Sequence, residues 1–314
     1  MQAIVDVAFP VFAIMASGWL AGRIGILGDA SSEALNRFVY YIALPPLLFG
    51  AMAKAPVAET FNGPFLAAYL GGVLSTFALA MLVATFAFPD RFACLSLHGL
   101  SAIFTNTGYM GIPLILTAFG PAGAPPAIMS TIINASIVVG VATMLVELDI
   151  GRDSGKKLMP LIRDVLLAVA KNPLVVAPIA GIALSVLGIR LPTAIDTFCT
   201  LIGAAASPCA LFAIGLFLVG KPIAGDLKEV GWICALKLLL QPAVTYVLAF
   251  QFLSMDPVWA KSAVILAALP TGTTLFVIGQ KYGVYVRRAT AVVLVSTVLS
   301  VLTVSALLVV LEVG

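Results

Sequence analysis

Two short polar strings interrupt apolar stretches of this sequence, and both combine proline, glycine and hydroxyl groups. The first covers residues 105–113 (TNTGYMGIP) and the second covers residues 269–274 (LPTGTT). Proline removes a backbone donor and clashes with the preceding turn, and glycine relaxes the backbone, so both strings predict a broken helix. The N–H groups and positive dipole ends that open the following half-helices suit a carboxylate. The alternative is a pair of proline kinks whose freed carbonyls are bonded by Ser and Thr side chains.

These two strings supply most of the candidate substrate ligands. Non-helical backbone at membrane depth is tolerated only beside protein or a watery cavity, so such breaks indicate a pathway. Asn134, in a later apolar segment, either reaches the same place or joins two helices by one hydrogen bond. The predicted substrate-binding residues are Asn106, Thr107, Gly108, Pro113, Asn134, Pro270, Thr271, Gly272 and Thr273.

Three further side chains are candidates for ion coupling. Lys237, with Gln241 one turn later, lies inside an apolar segment, where a charge is costly. It either takes part in substrate or proton coupling, or snorkels over roughly 12 Å to the interface. His98, the single histidine, either relays protons or packs in the core. The four cysteines have no metal-ligand spacing, and the sequence predicts neither a metal nor a cofactor.

The composition requires a membrane. Hydrophobic residues make up 61% of the 314 positions and charged residues 10%, which excludes a water-soluble domain. Apolar stretches of about 20 residues, the length that crosses a bilayer as a helix, predict an all-α bundle rather than an outer-membrane barrel. The ten predicted spans are 4–25, 34–52, 64–87, 92–118, 124–147, 172–189, 194–219, 229–253, 259–280 and 287–311.

The distribution of basic residues predicts the orientation of these helices. Of the 17 Lys and Arg residues, only Lys54, Arg190 and Lys261 lie outside if the N-terminus is outside. Cytoplasmic loops are enriched in basic residues. We therefore expect a multi-pass protein of a bacterial inner membrane, with both termini periplasmic or extracellular.

A weak repeat divides the chain in two. A set of Pro, Gly, Leu and Phe residues recurs 163 positions later: Pro10, Gly18, Gly25, Pro45, Leu48 and Phe49 match Pro173, Gly181, Gly188, Pro208, Leu211 and Phe212. Five crossings per unit would invert the second copy, an architecture of many secondary transporters. Residues 1–148 and 172–314 are the two predicted five-helix repeats, and 149–171 is a cytoplasmic linker with an interfacial helix. The alternative is a chance coincidence of residues common in membrane helices.

The residues around the two breaks resemble the auxin efflux carrier family, which includes the plant PIN-FORMED carriers and bacterial transporters described for malonate or malate. The likeness rests on residues 106–114 (NTGYMGIPL), 268–272 (ALPTG), and 36–38 (NRF) before 44–45 (LP). The resemblance implies a scaffold of helices 1, 2, 6 and 7 and a transport unit of helices 3–5 and 8–10 that moves like an elevator. It also implies a crossover at Pro113 and Pro270, a substrate ligand at Asn106, and a homodimer through helices 2 and 7.

The sequence therefore predicts a secondary transporter for a small organic anion, a mono- or dicarboxylate, in a lipid bilayer and with no nucleic-acid partner. A sodium-coupled importer like the bile-acid symporters, which share a similar ten-helix plan, is the first alternative. No Asp or Glu is expected at membrane depth, so a sodium site would need carbonyls and amides, and uniport or proton coupling is preferred. A channel or sensor is the second alternative. An intramembrane enzyme is not favoured. The sequence contains no Gly-x-Gly-Asp string and no paired metal-binding His residues, and His98 is the only histidine that could act as the partner of a catalytic serine.

Overall fold

A computed structural model describes residues 4–56, 62–152, 158–221 and 227–313. This part of the chain is all-helical and contains no β-strand. The α-helices are α1 (Phe9–Arg23), α2 (Asp29–Phe38), α3 (Leu44–Lys54), α4 (Gly63–Ala87), α5 (Phe92–Ile103), α6 (Ile112–Phe119), α7 (Ala124–Ile133), α8 (Val139–Arg152), α9 (Leu158–Ala170), α10 (Pro173–Val186), α11 (Thr193–Ala204), α12 (Ala206–Phe217), α13 (Leu227–Ala235), α14 (Gln241–Val247), α15 (Pro257–Ala268), α16 (Thr274–Tyr282) and α17 (Val286–Val310).

Short segments of other helix types continue these helices. Five-residue π-helical segments cover Ile4–Ala8, Val39–Ala43, Thr107–Gly111, Asn134–Val138, Leu236–Leu240 and Leu248–Phe252, and a 3₁₀ turn covers Gly120–Gly123. With them, helix covers most of each of the ten predicted spans. Two spans are interrupted by more than one residue, at residues 104–106 and 269–273, and both interruptions overlap the polar strings that predicted breaks.

Within the described ranges, five helical runs are long and apolar enough to cross a membrane. They are Gly63–Ala87, Thr107–Ile150, Thr193–Phe217, Leu227–Phe252 and Val286–Val310. The run Ile162–Ala170 and the following Pro173–Val186 meet at 59° and would add a sixth as a bent pair. Gly120, with φ of 58°, marks the turn that divides the longest run into α6 and α7. The number of ten crossings stays a prediction.

Several helices begin at a side-chain cap followed by proline. Asn62 accepts a hydrogen bond from Phe65 N before α4, and Asp256 accepts one from Val258 N before α15. Asn172 does the same for Leu174 N before α10. A capping oxygen satisfies an N–H that has no partner in the first turn, and proline at that turn loses no hydrogen bond. These residues therefore fix where the helices start.

Two helix pairs approach so closely that only glycine fits between them. In the pair α1 and α12, a Cβ on Gly18 would lie 2.2 Å from the Phe212 carbonyl oxygen. In the pair α3 and α10, a Cβ on Gly181 would lie 2.4 Å from the Phe49 carbonyl oxygen. Membrane helices commonly pack through such small residues. Both pairs join the first half of the chain to the second.

The two interrupted helices lie in the interior. Nearly every residue of α5 from Ala93 onward is buried, and so is nearly every residue of α15 from Trp259 onward. Protein therefore surrounds the non-helical backbone that follows each of them, as backbone at membrane depth requires.

Candidate functional site

The two interruptions cross and pair with each other. Asn106 N donates a hydrogen bond to Pro270 O at 3.0 Å, and Gly272 N donates to Phe104 O at 3.0 Å. Thr105 and Thr271 form an isolated antiparallel bridge between them. We call residues 104–106 and 269–273 the crossing. Each interruption satisfies polar backbone groups of the other, which removes part of the cost of leaving the helix in a buried place.

The position of the crossing corrects one expectation. Pro113 was expected to mark the crossover of the first broken helix, but it is the second residue of α6, and its carbonyl accepts a hydrogen bond from Thr117. The crossing lies at Phe104–Asn106 instead. Pro113 follows the π-helical segment Thr107–Gly111, and the helical run Thr107–Ile150 continues through it. Proline at this place therefore continues the helix rather than breaking it.

A cavity of about 110 Å³ lies against the crossing, and we call it the crossing cavity. It brings together six of the nine predicted substrate-binding residues, among them Asn106, Thr273 and Asn134. The lining residues are Tyr40, Phe104, Thr105, Asn106, Thr107, Gly108, Tyr109, Thr131, Asn134, Ala135, Val139, Asn172, Leu174, Gly272, Thr273 and Thr274. Pro113, Pro270 and Thr271 are not part of this lining.

The side chains of the crossing cavity differ in whether they are already occupied. Asn106 is 5% exposed, yet its amide makes no hydrogen bond within the described part of the chain, and the hydroxyls of Thr107 and Thr273 make none there either. A buried amide without a partner costs free energy unless a ligand or water satisfies it. These three side chains are therefore the ones available to a bound molecule.

Thr271 and Asn134 are occupied by the protein itself. Thr271 Oγ1 donates to Ser101 O at 2.8 Å, and its backbone N donates to Ser296 Oγ at 3.2 Å. Asn134 accepts from Thr105 N at 3.3 Å and donates to Tyr69 Oη at 2.8 Å. Both alternatives weighed for Asn134 hold, because it lines the cavity and also joins helices.

The helix ends give the crossing cavity a positive character. The helical run that starts at Thr107 and the helix α16 that starts at Thr274 both begin at its wall. The first N–H groups of a helix lack helical partners, and the helix dipole is positive there. No charged side chain belongs to the lining described above, so the two helix N-termini are the main positive groups beside the cavity.

Lys237 lies behind the crossing and is fully buried. Its Nζ donates to Gln241 Oε1 at 2.7 Å and to Ala267 O at 2.7 Å. With 0% of its surface exposed, the side chain does not snorkel to the interface, and that alternative is wrong. Ala267 O is one of the last carbonyls of α15, where the helix dipole is negative. The Lys237 side chain therefore satisfies a carbonyl at the end of α15 just before the crossing.

A second polar group, the charge cluster, joins Asp90, His98, Glu229, Tyr285 and Arg288. Glu229 is 3% exposed. Its Oε1 lies 2.7 Å from His98 Nδ1 and accepts from Tyr285 at 2.5 Å, while Oε2 accepts from Arg288 at 3.2 Å. Arg288 also binds Asp90 Oδ2 at 2.6 Å. The cluster connects α5, α13 and α17 around one buried carboxylate.

Glu229 was not among the predicted functional residues. It stands in the first turn of the run Leu227–Phe252, and it is buried there. Arg288 holds the same position in α17. An acidic residue and a basic residue in the first turns of two apolar helices, together with a single histidine, were the signal that could have indicated this cluster.

Asp90 lies outside the spanning helices, between α4 and α5. Partial burial opposes its ionisation, but hydrogen bonds from Arg288 and from Arg91 N, together with the charge of Arg288, lower the pKa of the Asp90 carboxyl below its ordinary value. Asp90 therefore stays ionised and neutralises part of the Arg288 charge.

An all-helical chain with several membrane-length runs and a polar cavity at two crossing broken helices has the organisation of a membrane transport protein. The family described as "Membrane transport protein" matches residues 3–308. The chain belongs to this family, and it is a membrane transporter rather than an enzyme.

Individual relatives agree with this assignment. A protein of Rhizobium meliloti named "Putative malonate transporter" is 34% identical over 100% of this chain and 98% of its own length. An uncharacterized transporter of Escherichia coli is 28% identical over 91% of each chain. A rice protein named "Probable auxin efflux carrier component 5b" is 29% identical over 46% of this chain and 41% of its own. The resemblance to auxin efflux carriers is confirmed.

Proposed function

We propose that this protein is a carrier that moves a small organic anion, a mono- or dicarboxylate, across a bacterial inner membrane. The observation that carries the proposal is the side chain of Asn106, which is 5% exposed and has no hydrogen-bond partner among the described residues, in a cavity bordered by two helix N-termini. Such N-termini bind carboxylates through their free N–H groups and dipole. Asn106, Thr107 and Thr273 would add hydrogen bonds that fix the orientation of the anion.

The size of the crossing cavity favours a compact substrate. Its volume of about 110 Å³ equals that of roughly four molecules of liquid water. A three- or four-carbon carboxylate fits such a space better than a large amphipathic molecule. Malonate is the first substrate to test, because the Rhizobium relative carries that name.

We also propose two inverted five-helix repeats that work by an elevator-type movement. The contacts of Gly18 with Phe212 and of Gly181 with Phe49 support the repeat, because each residue of one contact lies 163 positions from its counterpart in the other. The scaffold would consist of the first, second, sixth and seventh predicted spans, which are residues 4–25, 34–52, 172–189 and 194–219. A second cavity of about 630 Å³, between α3 and α11 on one side and α6 and α7 on the other, would give the opposite route.

The scaffold would also form a homodimer through the predicted helices 2 (residues 34–52) and 7 (residues 194–219). Large apolar side chains on these helices, Tyr41 and Ile42 on one and Phe198 and Leu201 on the other, are more than half exposed in the single chain. A bilayer or a second copy would cover them. Both termini would be periplasmic, as the basic residues predict.

Proton coupling is the mode that the buried charges favour over sodium coupling. The carbonyl end of α15, where a cation would be attracted, already holds the Lys237 ammonium group. The buried Glu229 is bound by His98, Tyr285 and Arg288 rather than left open for a metal ion. His98 and Lys237 with Gln241 therefore stay the candidates for coupling.

Flux of labelled malonate into proteoliposomes tests the proposed function. We expect Asn106→Ala to lower kcat/KM by about 10- to 100-fold, because a hydrogen bond to a charged group contributes roughly 1.5–3 kcal/mol. Thr303→Ala is the matched control, because the Thr303 hydroxyl is also buried without a partner among the described residues but does not line the cavity. Equal flux in both variants would refute the site. Unitary currents in a planar bilayer would instead indicate a channel.

A further inference from the structure

The connector helix α9 and the two residues after it line a cavity. A cavity of about 310 Å³, which we call the vestibule, lies beside the crossing cavity. Its wall includes Val165, Ala168 and Val169 of α9, followed by Lys171 and Asn172. The sequence had assigned this segment to a linker without a role in binding.

The vestibule and the crossing cavity meet at shared residues. Tyr40, Ala135, Val139 and Asn172 line both cavities. At this boundary, Tyr40 Oη donates to Asn172 Oδ1 at 3.1 Å, and Asn172 Nδ2 donates to Ala135 O at 3.3 Å. A molecule that moves between the two cavities must pass this pair of side chains.

Lys171 carries a charge at the wall of the vestibule. It is the only Lys, Arg, Asp or Glu in the described lining of either cavity. Lys171 is exposed, and its ammonium group has no hydrogen-bond or ion-pair partner within the residues that the structure describes. Arg163 and Asp164, on the same helix, do not line the vestibule. The charge of Lys171 is therefore available to a passing anion.

We propose that Lys171 is the anion-attracting residue of the vestibule and that it raises the rate at which a carboxylate reaches Asn106 past Tyr40 and Asn172. The proposal rests on the proposed function for the identity of the anion and for Asn106 as its destination. A positive charge in a cleft with low-dielectric walls concentrates anions and raises their association rate. Since the charge lies outside the crossing cavity, it affects arrival more than the bound state.

A thiol introduced into the vestibule tests this without any knowledge of the substrate. In Ala168→Cys protein, the thiol reacts with two methanethiosulfonates of similar size, one carrying a sulfonate and one a trimethylammonium group, and mass spectrometry of the peptide gives both rates. We expect Lys171→Gln to lower the sulfonate-to-ammonium rate ratio by about tenfold. Lys171→Arg should restore the ratio, because it restores the charge.

Arg163→Gln is the matched control. It removes the same charge from α9 itself, the helix that directly precedes Lys171, and position 163 points away from the face that carries residues 165, 168 and 169 at a helical spacing of 100° per residue. The ratio should stay unchanged. A ratio that Lys171→Gln leaves unaltered, or that Arg163→Gln lowers equally, would overturn the proposal.

Transport kinetics add a second measurement. For malonate, Lys171→Gln should raise KM by about tenfold with kcat unchanged, and added salt should remove most of the difference from the wild type because it screens exposed charges. A lower kcat at unchanged KM would contradict the proposal. If wild-type protein moves no malonate, the proposed substrate fails, while the thiol ratio still decides the role of Lys171.

Discussion

Helix α5 carries two buried polar regions that differ in kind. In its middle, His98 belongs to the charge cluster, where Glu229 is held by Tyr285, His98 and Arg288. At its end lies the crossing, whose described cavity lining contains no charged side chain and whose Asn106 has no hydrogen-bond partner in the part of the chain that the structure describes. Occupied charges fix helices relative to one another, whereas unoccupied uncharged groups can bind a ligand. The comparison indicates a structural role for the pair of Glu229 and Arg288, and it supports the binding role that we propose for the crossing.

The crossing shows the same contrast on a smaller scale. Thr271 and Thr273 stand two residues apart in one string, and the sequence treated them alike. Thr271 is fully buried and bonded to Ser101 O and Ser296 Oγ, while Thr273 is partly exposed and free. One threonine therefore supports the crossing and the other faces the cavity.

Loss of the cluster carboxylate should have the largest effect on stability. Glu229→Ala leaves Arg288 without its buried partner and removes the contact that holds Tyr285, a residue with φ of 62°. We expect the free energy of unfolding to fall by about 3 kcal/mol. Thermal unfolding in detergent measures it. Glu33→Ala, which breaks the exposed pair with Arg37, should cost less than about 0.5 kcal/mol. Similar losses of stability in Glu229→Ala and Glu33→Ala would contradict the structural role of the Glu229 carboxylate.

A methyl group added to the crossing should have the next largest effect. A Cβ on Gly272 would lie 2.6 Å from the Phe104 ring, whereas a Cβ on Gly108 would find its nearest neighbour at 3.7 Å. We expect Gly272→Ala to lower stability by about 1–3 kcal/mol and Gly108→Ala to leave it nearly unchanged.

A second substitution should relieve the loss of stability in Gly272→Ala if contact with the Phe104 ring causes that loss. Adding Phe104→Ala to Gly272→Ala removes the clashing atoms, so the two substitutions together should cost less than the sum of their separate costs. Additive losses in the melting curves would show that the contact with the ring is not the reason for glycine at this position.

Substitutions of Thr271 and Thr273 should have different effects, one on stability and the other on transport. Thr271→Val removes the hydrogen bond to Ser101 O and should cost about 1 kcal/mol of stability. Thr273→Val should leave the melting temperature unchanged but lower malonate flux several-fold. The paired measurement on each variant checks the distinction, and unchanged flux in Thr273→Val with normal stability would remove Thr273 from the site.

The smallest expected effect is a pH dependence at the rim of the charge cluster. The pKa of Asp90 is lowered in the folded protein from 3.8, so the ion pair with Arg288 stabilises the protein fully above that value and is lost as pH falls below it. Melting temperatures between pH 5 and 3 should therefore fall less steeply in Asp90→Asn than in the wild type. Parallel curves would show that Asp90 contributes nothing.

Much of the fold follows from local pattern, and much of the site does not. Breaks at the two polar strings were predicted because proline and glycine act on their own turn of helix. The assignment of Pro113 to the crossover was wrong, since the helical run that begins at Thr107 continues through Pro113, and only the pairing with the second interruption shows where the crossing lies. Glu229 was missed because its partners come from α5 and α17, far away in sequence.

The sequence by itself determined that this chain is a helical membrane transporter with two interrupted helices, because hydropathy, helix breakers and family motifs are properties of short segments. Only the tertiary structure decided that the interruptions pair with each other, that Lys237 is buried against the end of α15, and that Asn106 is free while Thr271 is not. Those properties depend on which polar groups of distant segments meet. A polar group is hydrogen-bonded only when a partner from another segment lies within reach, and the packing of the helices decides which segments lie there.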